Sequence, residues 1–592
     1  MKKTYALLLA IVALMVGMNS CKYKSDYQLP QNANVYDNSK TVTASLYGVI
    51  TDISGSIVSD ATVSIENYIT KTDSNGLFQL TNVTIPQHNA CVKVTKEGHF
   101  VGYRSIRVQQ GARHEVRLRL IKHSVPQTYI ATTATELNFA SSLQLSFPAN
   151  AVINKATGIP YTGQVYVYAH RIDPTGEVGR SIMPGDLRGL STLGTEAMLM
   201  SYGMLAVELF DASGSELVIA PNKEVKIQYE VPSSLVASAP SQIAMWHFDE
   251  QKGIWVEEGS ASLSGNKYLG NVKHFSFWNF DIVGNNTSLN VNFVDGNNIP
   301  LQGYTVKITN SQNSDWSTSI TNSNGWVGGY IYSNATLTLE VYNNAVCGTI
   351  PVYSQTLNTN NSPINLGTIT INMSSANTSI FSGQVVDCNN NVVPYALVLI
   401  QPYNYVIHAD ANGGFYATIP CTINGTVNVS TYNPNSYEHG SINTTLSAGM
   451  NMLGTLYACG NTTPYLDITL TNTVTSMSAN KVFLAPTDLI EASIDSVGMS
   501  YSSITAMGSG SGVYIQTNDS TSATHPVINA IITNLGSFTD TQFTLAPGGT
   551  ITYSSFPLFP DQVLGNFSFT MIGFPSGNTY TLSGSFRAPR NN

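Results

Sequence analysis

One block recurs three times in this chain, and it narrows the fold more than any other feature. Residues 46–80 contain LYGVITDISGSIVSDATVSI and then TKTDSNGLFQL. Residues 381–418 contain FSGQVVDCNNNVVPYALVLI and then HADANGGFYAT, and residues 289–331 carry a looser copy. Each copy alternates apolar and polar residues, the period of a half-buried strand. Each has an Asp before a polar turn (Asp52, Asp295, Asp387) and later an Asn-Gly pair: Asn75-Gly76, Asn324-Gly325 and Asn412-Gly413. Asn-Gly between apolar runs predicts a tight hairpin, since both residues tolerate positive φ.

The repeated block resembles the carboxypeptidase regulatory-like domain, a small transthyretin-like Greek-key sandwich. The resemblance is close for 44–122 and 379–459 and looser for 287–372. It implies a structural or binding module, since the catalytic unit of such carboxypeptidases is a separate α/β domain. The turns DSNG and DANG share the opening of a calcium loop but lack its distal Glu. An Asx-type turn is therefore expected at these positions.

Composition agrees with an all-β chain. Charged residues are 11% of the total, against an ordinary value near 25%. Ser, Thr, Asn, Gly and Tyr fill the gap, a mixture that suits strands and turns. The 592 residues allow several domains. The net charge of −9 comes with no basic run, which argues against nucleic acid as a partner.

The first residues read as an address. MKK is a basic n-region, and YALLLAIVALMVGM is an apolar stretch short for a membrane span. It ends at NSC, which resembles the lipobox of bacterial lipoproteins. That resemblance implies a signal peptide (1–20), lipidation of Cys21 and a polar stalk (21–43). An ordinary signal peptide cut nearby is the alternative. Lys22 after the Cys, by similarity to enteric sorting, points to the outer membrane.

Between the first two copies lies a different unit, 128–285. It contains FPANAV, SYGMLAVELFDASGSELVIAP, WHFDEQKGIWVEEG and NVKHFSFWNFD. Trp246 and Trp255 are expected on one sheet face of a hairpin. These stretches resemble the β-sandwich of cartilage intermediate layer protein, akin to a domain of netrin receptors. The resemblance implies an extracellular-type scaffold. The last region, 462–592, is again strand and turn. The expected architecture is a string of Greek-key or Ig-like β-sandwiches after a signal peptide and short stalk.

Candidate chemistry is sparse. His247 and Glu250 have the HxxE spacing of some zinc enzymes, but positions i and i+3 of a strand face opposite ways, so no metal is expected there. Recognisable nucleotide, hydrolase and cofactor motifs are absent from the sequence, and no cofactor is expected. His274-Phe275-Ser276 matches the tripeptide at which some netrin-receptor-like sandwiches cut themselves. That resemblance makes Ser276 the nucleophile, His274 the base and Phe275–Ser276 the scissile bond. The simpler alternative is a closing strand with Phe275 and Phe277 in the core and Ser276 and Trp278 on the other face.

Tyr403, Tyr405, Tyr432 and Tyr437 fall near loops of the last regulatory-like copy and are candidates for stacking on a protein or glycan ligand. Cys388, Cys421 and Cys459 lie in that same copy, where one disulfide is expected, the pairing left open. The functional expectation is a non-enzymatic, lipid-anchored envelope protein serving as scaffold, adhesin or ligand binder. The alternatives are an accessory carbohydrate-binding lipoprotein of polysaccharide uptake and a self-cleaving module.

Overall fold

The computed structural model describes residues 34–592 apart from 74, 141, 344–346, 348–349, 374–377, 420, 435, 437, 460, 463–464, 476–477, 485–488, 496–500, 509–510, 518–523, 535–537, 539, 556–561 and 590–592. Cys21, the stalk before residue 34 and Tyr437 lie outside the described residues. The fold is a series of β-sandwich domains.

The three repeats have one topology. In the first, strand Thr41–Asp52 pairs antiparallel with Leu77–Pro86 and parallel with Arg113–Leu120. The facing sheet runs Tyr68–Lys71, Thr62–Ile65, Ala90–Thr95, Gly102–Ile106. The third sandwich (286–371) repeats this division of seven strands into three and four, and the fourth (379–457) does so with a short fifth strand, Asn461–Thr462, added to the edge of its second sheet. The looser copy has therefore kept the complete topology. Burial follows the sequence period: Ala90–Thr95 alternates buried and half-buried residues.

The Asn-Gly turns are not hairpins. Each joins a strand of the four-stranded sheet to one of the three-stranded sheet, as between Tyr68–Lys71 and Leu77–Pro86. Only the glycine takes positive φ: 71° at Gly76, 69° at Gly325 and 70° at Gly413. Its carbonyl accepts the N–H of Ile50, Phe293 or Val385 at 2.8–2.9 Å, which extends the ladder of the three-stranded sheet by one residue. The chain comes so close that a Cβ on Gly325 would sit 2.1 Å from the Phe293 oxygen.

The acidic and amide residues of the turns are spent locally. Asp52, Asp73, Asp295, Asn322, Asp387 and Asp410 each accept the N–H groups of residues i+2 and i+4 on one side-chain oxygen, at 2.7–3.0 Å. These are Asx turns, as the turn chemistry predicts.

The second sandwich (127–284) is built on a large sheet that includes Leu143–Phe147, Val225–Glu230, Lys267–Val272, Ile254–Ser264, Gln242–Asp249, Phe277–Gly284 and Thr195–Phe210 as successive neighbours. The C-terminal strands form a sheet that continues into the first sandwich through a parallel bridge between Asn480 and Tyr68.

The domains follow one another along the chain but gather in space around the first sandwich. Phe100 and Tyr103 of the first share an apolar cluster with Trp246, Phe248 and Trp255 of the second. Tyr47, Val49 and Leu77 share another with Leu397, Leu399, Val406 and Tyr432 of the fourth. Burying each such side chain stabilises by roughly 1.5–3 kcal/mol, so these are cemented junctions. Trp246 and Trp255 do lie on one sheet face, and that face is the junction with the first sandwich.

Candidate functional site

His274-Phe275-Ser276 is not part of a strand. Lys267–Val272 ends before it and Phe277–Gly284 begins after it, so the tripeptide is the bend between them. The Trp278 indole N–H donates to the His274 carbonyl at 3.1 Å, closing the bend. The break disrupts the alternation expected from sequence. Phe275 packs toward the inner core of the second sandwich beside Phe147, whereas Phe277 faces the junction with the first sandwich. Trp278 and Phe280 fill the inner core.

The two groups proposed for self-cleavage are engaged elsewhere. Ser276 Oγ donates to the Phe277 carbonyl at 3.0 Å. His274 Nε2 lies 3.0 Å from the Glu258 carboxylate, and its ring packs against His247 and Trp278 with centroids at 4.6 and 5.1 Å. Self-cleavage needs the hydroxyl on the preceding carbonyl and a strained peptide.

The bend completes a cluster that spacing along the sequence does not reveal. Strand Gln242–Asp249 carries His247, its hairpin partner carries Glu258, and the bend adds His274. Their ligand atoms all lie within 4.8 Å of one another. Two imidazoles and one carboxylate can hold a divalent cation with positions left open. Burial and the neighbouring His274 lower the pKa of His247, favouring the neutral ring. Glu258 and His274 are each more than a third exposed, so the cluster is open to solvent. His247 and Glu250 do not converge; Glu250 instead lies 3.6 Å from Lys93.

The tyrosine patch is corrected by the packing. Tyr405 lies in the core of the fourth sandwich and Tyr432 in the junction with the first, both buried; Tyr403 is half-buried against the same core. These side chains stabilise the domain and its docking, leaving little aromatic face for a ligand. The cysteine expectation changes as well. Cys421 is bonded to Cys347 of the third sandwich, with Cα atoms 5.4 Å apart. Cys388 and Cys459 are free thiols. A search confined to one domain overlooks a bridge between two.

No family model matches the chain. Cartilage intermediate layer protein 2 of Mus musculus is 32% identical over 108 residues, 18% of this chain and 9% of that protein. The Homo sapiens protein of the same name is 27% identical over 124 residues, 21% of this chain and 10% of that protein. The chain thus spans about a tenth of the length of the curated relatives it matches. Among solved structures, the shaft pilin spaA of Lactobacillus rhamnosus GG is 12% identical with a TM-score of 0.16, covering 29% of this chain and 96% of that one. BcpA, the major pilin subunit of Bacillus cereus, is 11% identical with a TM-score of 0.11, covering 71% and 99%. At that overlap these structures carry no argument about this chain.

Proposed function

We propose that this protein is a lipid-anchored scaffold of the cell envelope, tethered at the outer membrane through Cys21, that presents binding or adhesive surfaces. The observation that carries this reading is the cementing of the sandwiches. An apolar cluster, a disulfide and buried ion pairs join consecutive domains, and a second apolar cluster joins the first sandwich to the fourth. A body held this way keeps its surfaces at fixed relative positions, which suits mechanical display. The three repeats are regulatory-like modules in this reading, supported by their shared topology and turns.

The test is metabolic labelling with palmitate, together with protease accessibility on intact cells. Label on the wild-type chain, its loss in Cys21→Ala and release of that variant from the membrane are the expected results. A Cys21→Ala variant that stays membrane-bound, or a wild-type chain without label, overturns the anchor. A chain fully protected from protease on intact cells overturns surface display.

A further inference from the structure

The first sandwich, the helix Glu177–Ile182 of the second and the third sandwich enclose a cleft of about 740 Å³. Small-molecule sites have volumes of roughly 300–1,000 Å³. Six of the ten arginines in the chain line it: Arg104, Arg107, Arg117, Arg119, Arg180 and Arg188. Lys307 adds a seventh cation, facing three carboxylates, Glu115, Glu177 and Asp186. In a chain of net charge −9 this is a local reversal of sign.

Three of the arginines are already committed. Arg117 pairs with Glu115, Arg188 with Asp186 and Glu196, and Arg180 with Asp315. Among the described residues no carboxylate pairs with Arg104, Arg107, Arg119 or Lys307. Arg104 reaches only the carbonyls of Ser181 and Gly185, and its Nε is buried without a partner. Arg107 lies over the Tyr330 ring at 4.4 Å and its Nε is likewise unpartnered. Burial depresses the pKa of both, and for Arg107 the Arg188 guanidinium adds to it. Asp186, and for Arg107 also Glu196, offset this only from beyond contact distance; cations held out of water with no carboxylate in contact are costly, and an anion relieves that cost.

The rest of the wall identifies the kind of anion. Trp326 offers ring surface beside Trp316 and Tyr330, which carry Lys307 and Arg107 on one face at 4.7 and 4.4 Å, and Ser317, Thr318 and Ser319 offer hydroxyls. Guanidinium groups match carboxylate and sulfate geometry in a bidentate fork. Rings and hydroxyls beside cations suit a sugar bearing acidic groups. The acidic surroundings repel a long polyanion, so a short oligomer fits better. We propose that this cleft binds a short acidic oligosaccharide whose carboxylates or sulfates are held by Arg104, Arg107, Arg119 and Lys307. The inference goes beyond the scaffold reading and does not depend on the lipid anchor.

Calorimetric titration of the full chain in detergent tests it, with trigalacturonate and a sulfated tetrasaccharide as probes. Maltotriose, hexaglutamate and inorganic sulfate are the comparisons. Saturable binding of at least one acidic sugar is expected, weakened at least tenfold in an Arg119→Gln/Lys307→Gln double variant, with maltotriose silent. Neither side chain bridges domains through an ion pair, so the variant keeps the fold. Lys155→Gln, a surface change elsewhere, should bind as the wild type does. Failure of both acidic sugars, or equal binding by the double variant, overturns the site. Equal binding of hexaglutamate or sulfate overturns the sugar assignment. Because the anchor is irrelevant to this titration, its outcome is separable from that of palmitate labelling.

Discussion

Arg587 Nη1 lies 2.8 Å from Glu438 Oε1, in a buried ion pair that joins the last described strand to the fourth sandwich. The partners are 149 residues apart. Removing one member of a buried pair strands the other charge, at a cost of roughly 3–5 kcal/mol. Arg587→Met should therefore loosen the C-terminal domain, and Arg587→Met/Glu438→Met should loosen it less. Hydrogen exchange over 562–589 reads this directly. Equal exchange in wild type and Arg587→Met would show that the pair contributes nothing to docking.

The glycine of each inter-sheet turn offers a second test. Gly325 combines positive φ with a neighbouring carbonyl 2.1 Å from where a Cβ would stand, whereas Gly55 has positive φ and open space. Backbone strain alone costs on the order of 1–3 kcal/mol. Gly325→Ala should exceed that through the clash, and Gly55→Ala should stay within it. Urea unfolding followed by exchange in the third sandwich and the first, respectively, separates the two. Similar losses at both sites would refute the close-approach argument.

These turns also show how much of the fold was legible. The repeat, the strands and the Asx residues are local features, and short-range sequence carries them. Whether a turn closes a hairpin or crosses between sheets depends on partners far along the chain, such as Phe293 for Gly325, and spacing does not encode that. The same limit hid Cys347 from Cys421 and Glu258 from His247 and His274. Tyr405 and Tyr432 looked like loop aromatics because their sequence shows strand composition but not the neighbouring domain that buries one of them. The arginine cleft was invisible for the same reason, its cations being scattered from 104 to 307 with no basic run.

The disulfide between the third and fourth sandwiches gives a chemical prediction. Non-reducing peptide mapping should join the peptides holding Cys347 and Cys421. Brief alkylation of the native protein should label exposed Cys388 first. Cys91 should resist, because burial pushes its thiol up to about 12 and thiolate is the reactive form. Rapid native labelling of Cys91 would contradict its packing beside Gly253.

Acid should undock the fourth sandwich from the first. His408 is buried beside Tyr47, ring centroids 4.9 Å apart, and its Nδ1 lies 2.7 Å from the Ala409 carbonyl. Burial, with Arg113 nearby, lowers its pKa from 6.5 to about 3. The folded state thus holds the neutral ring while the unfolded state protonates near 6.5. Stability from this group is complete above that pH and is lost as pH falls toward the folded value, about 2 kcal/mol by pH 5. His408→Gln should be less stable at pH 7 yet lose less between pH 7 and 5. Parallel pH profiles for wild type and variant, by exchange over 397–408, would eliminate His408 as the sensor.

The bend at 274–276 should remain intact. Self-cleavage requires Ser276 Oγ to attack the Phe275 carbonyl with a base ready to take its proton. Here the hydroxyl donates to the carbonyl on its other side, and Glu258 holds the imidazole at 3.0 Å. Neither Phe275 nor Ser276 takes a positive φ or a cis peptide, and an ordinary trans peptide is unreactive under these conditions. Intact-mass measurement after prolonged incubation at neutral pH should give one species, identical in behaviour for wild type and Ser276→Ala. Two fragments meeting at residues 275 and 276, present in wild type and absent in the variant, would mean that the hydroxyl leaves Phe277 and that the bend is a reaction centre after all.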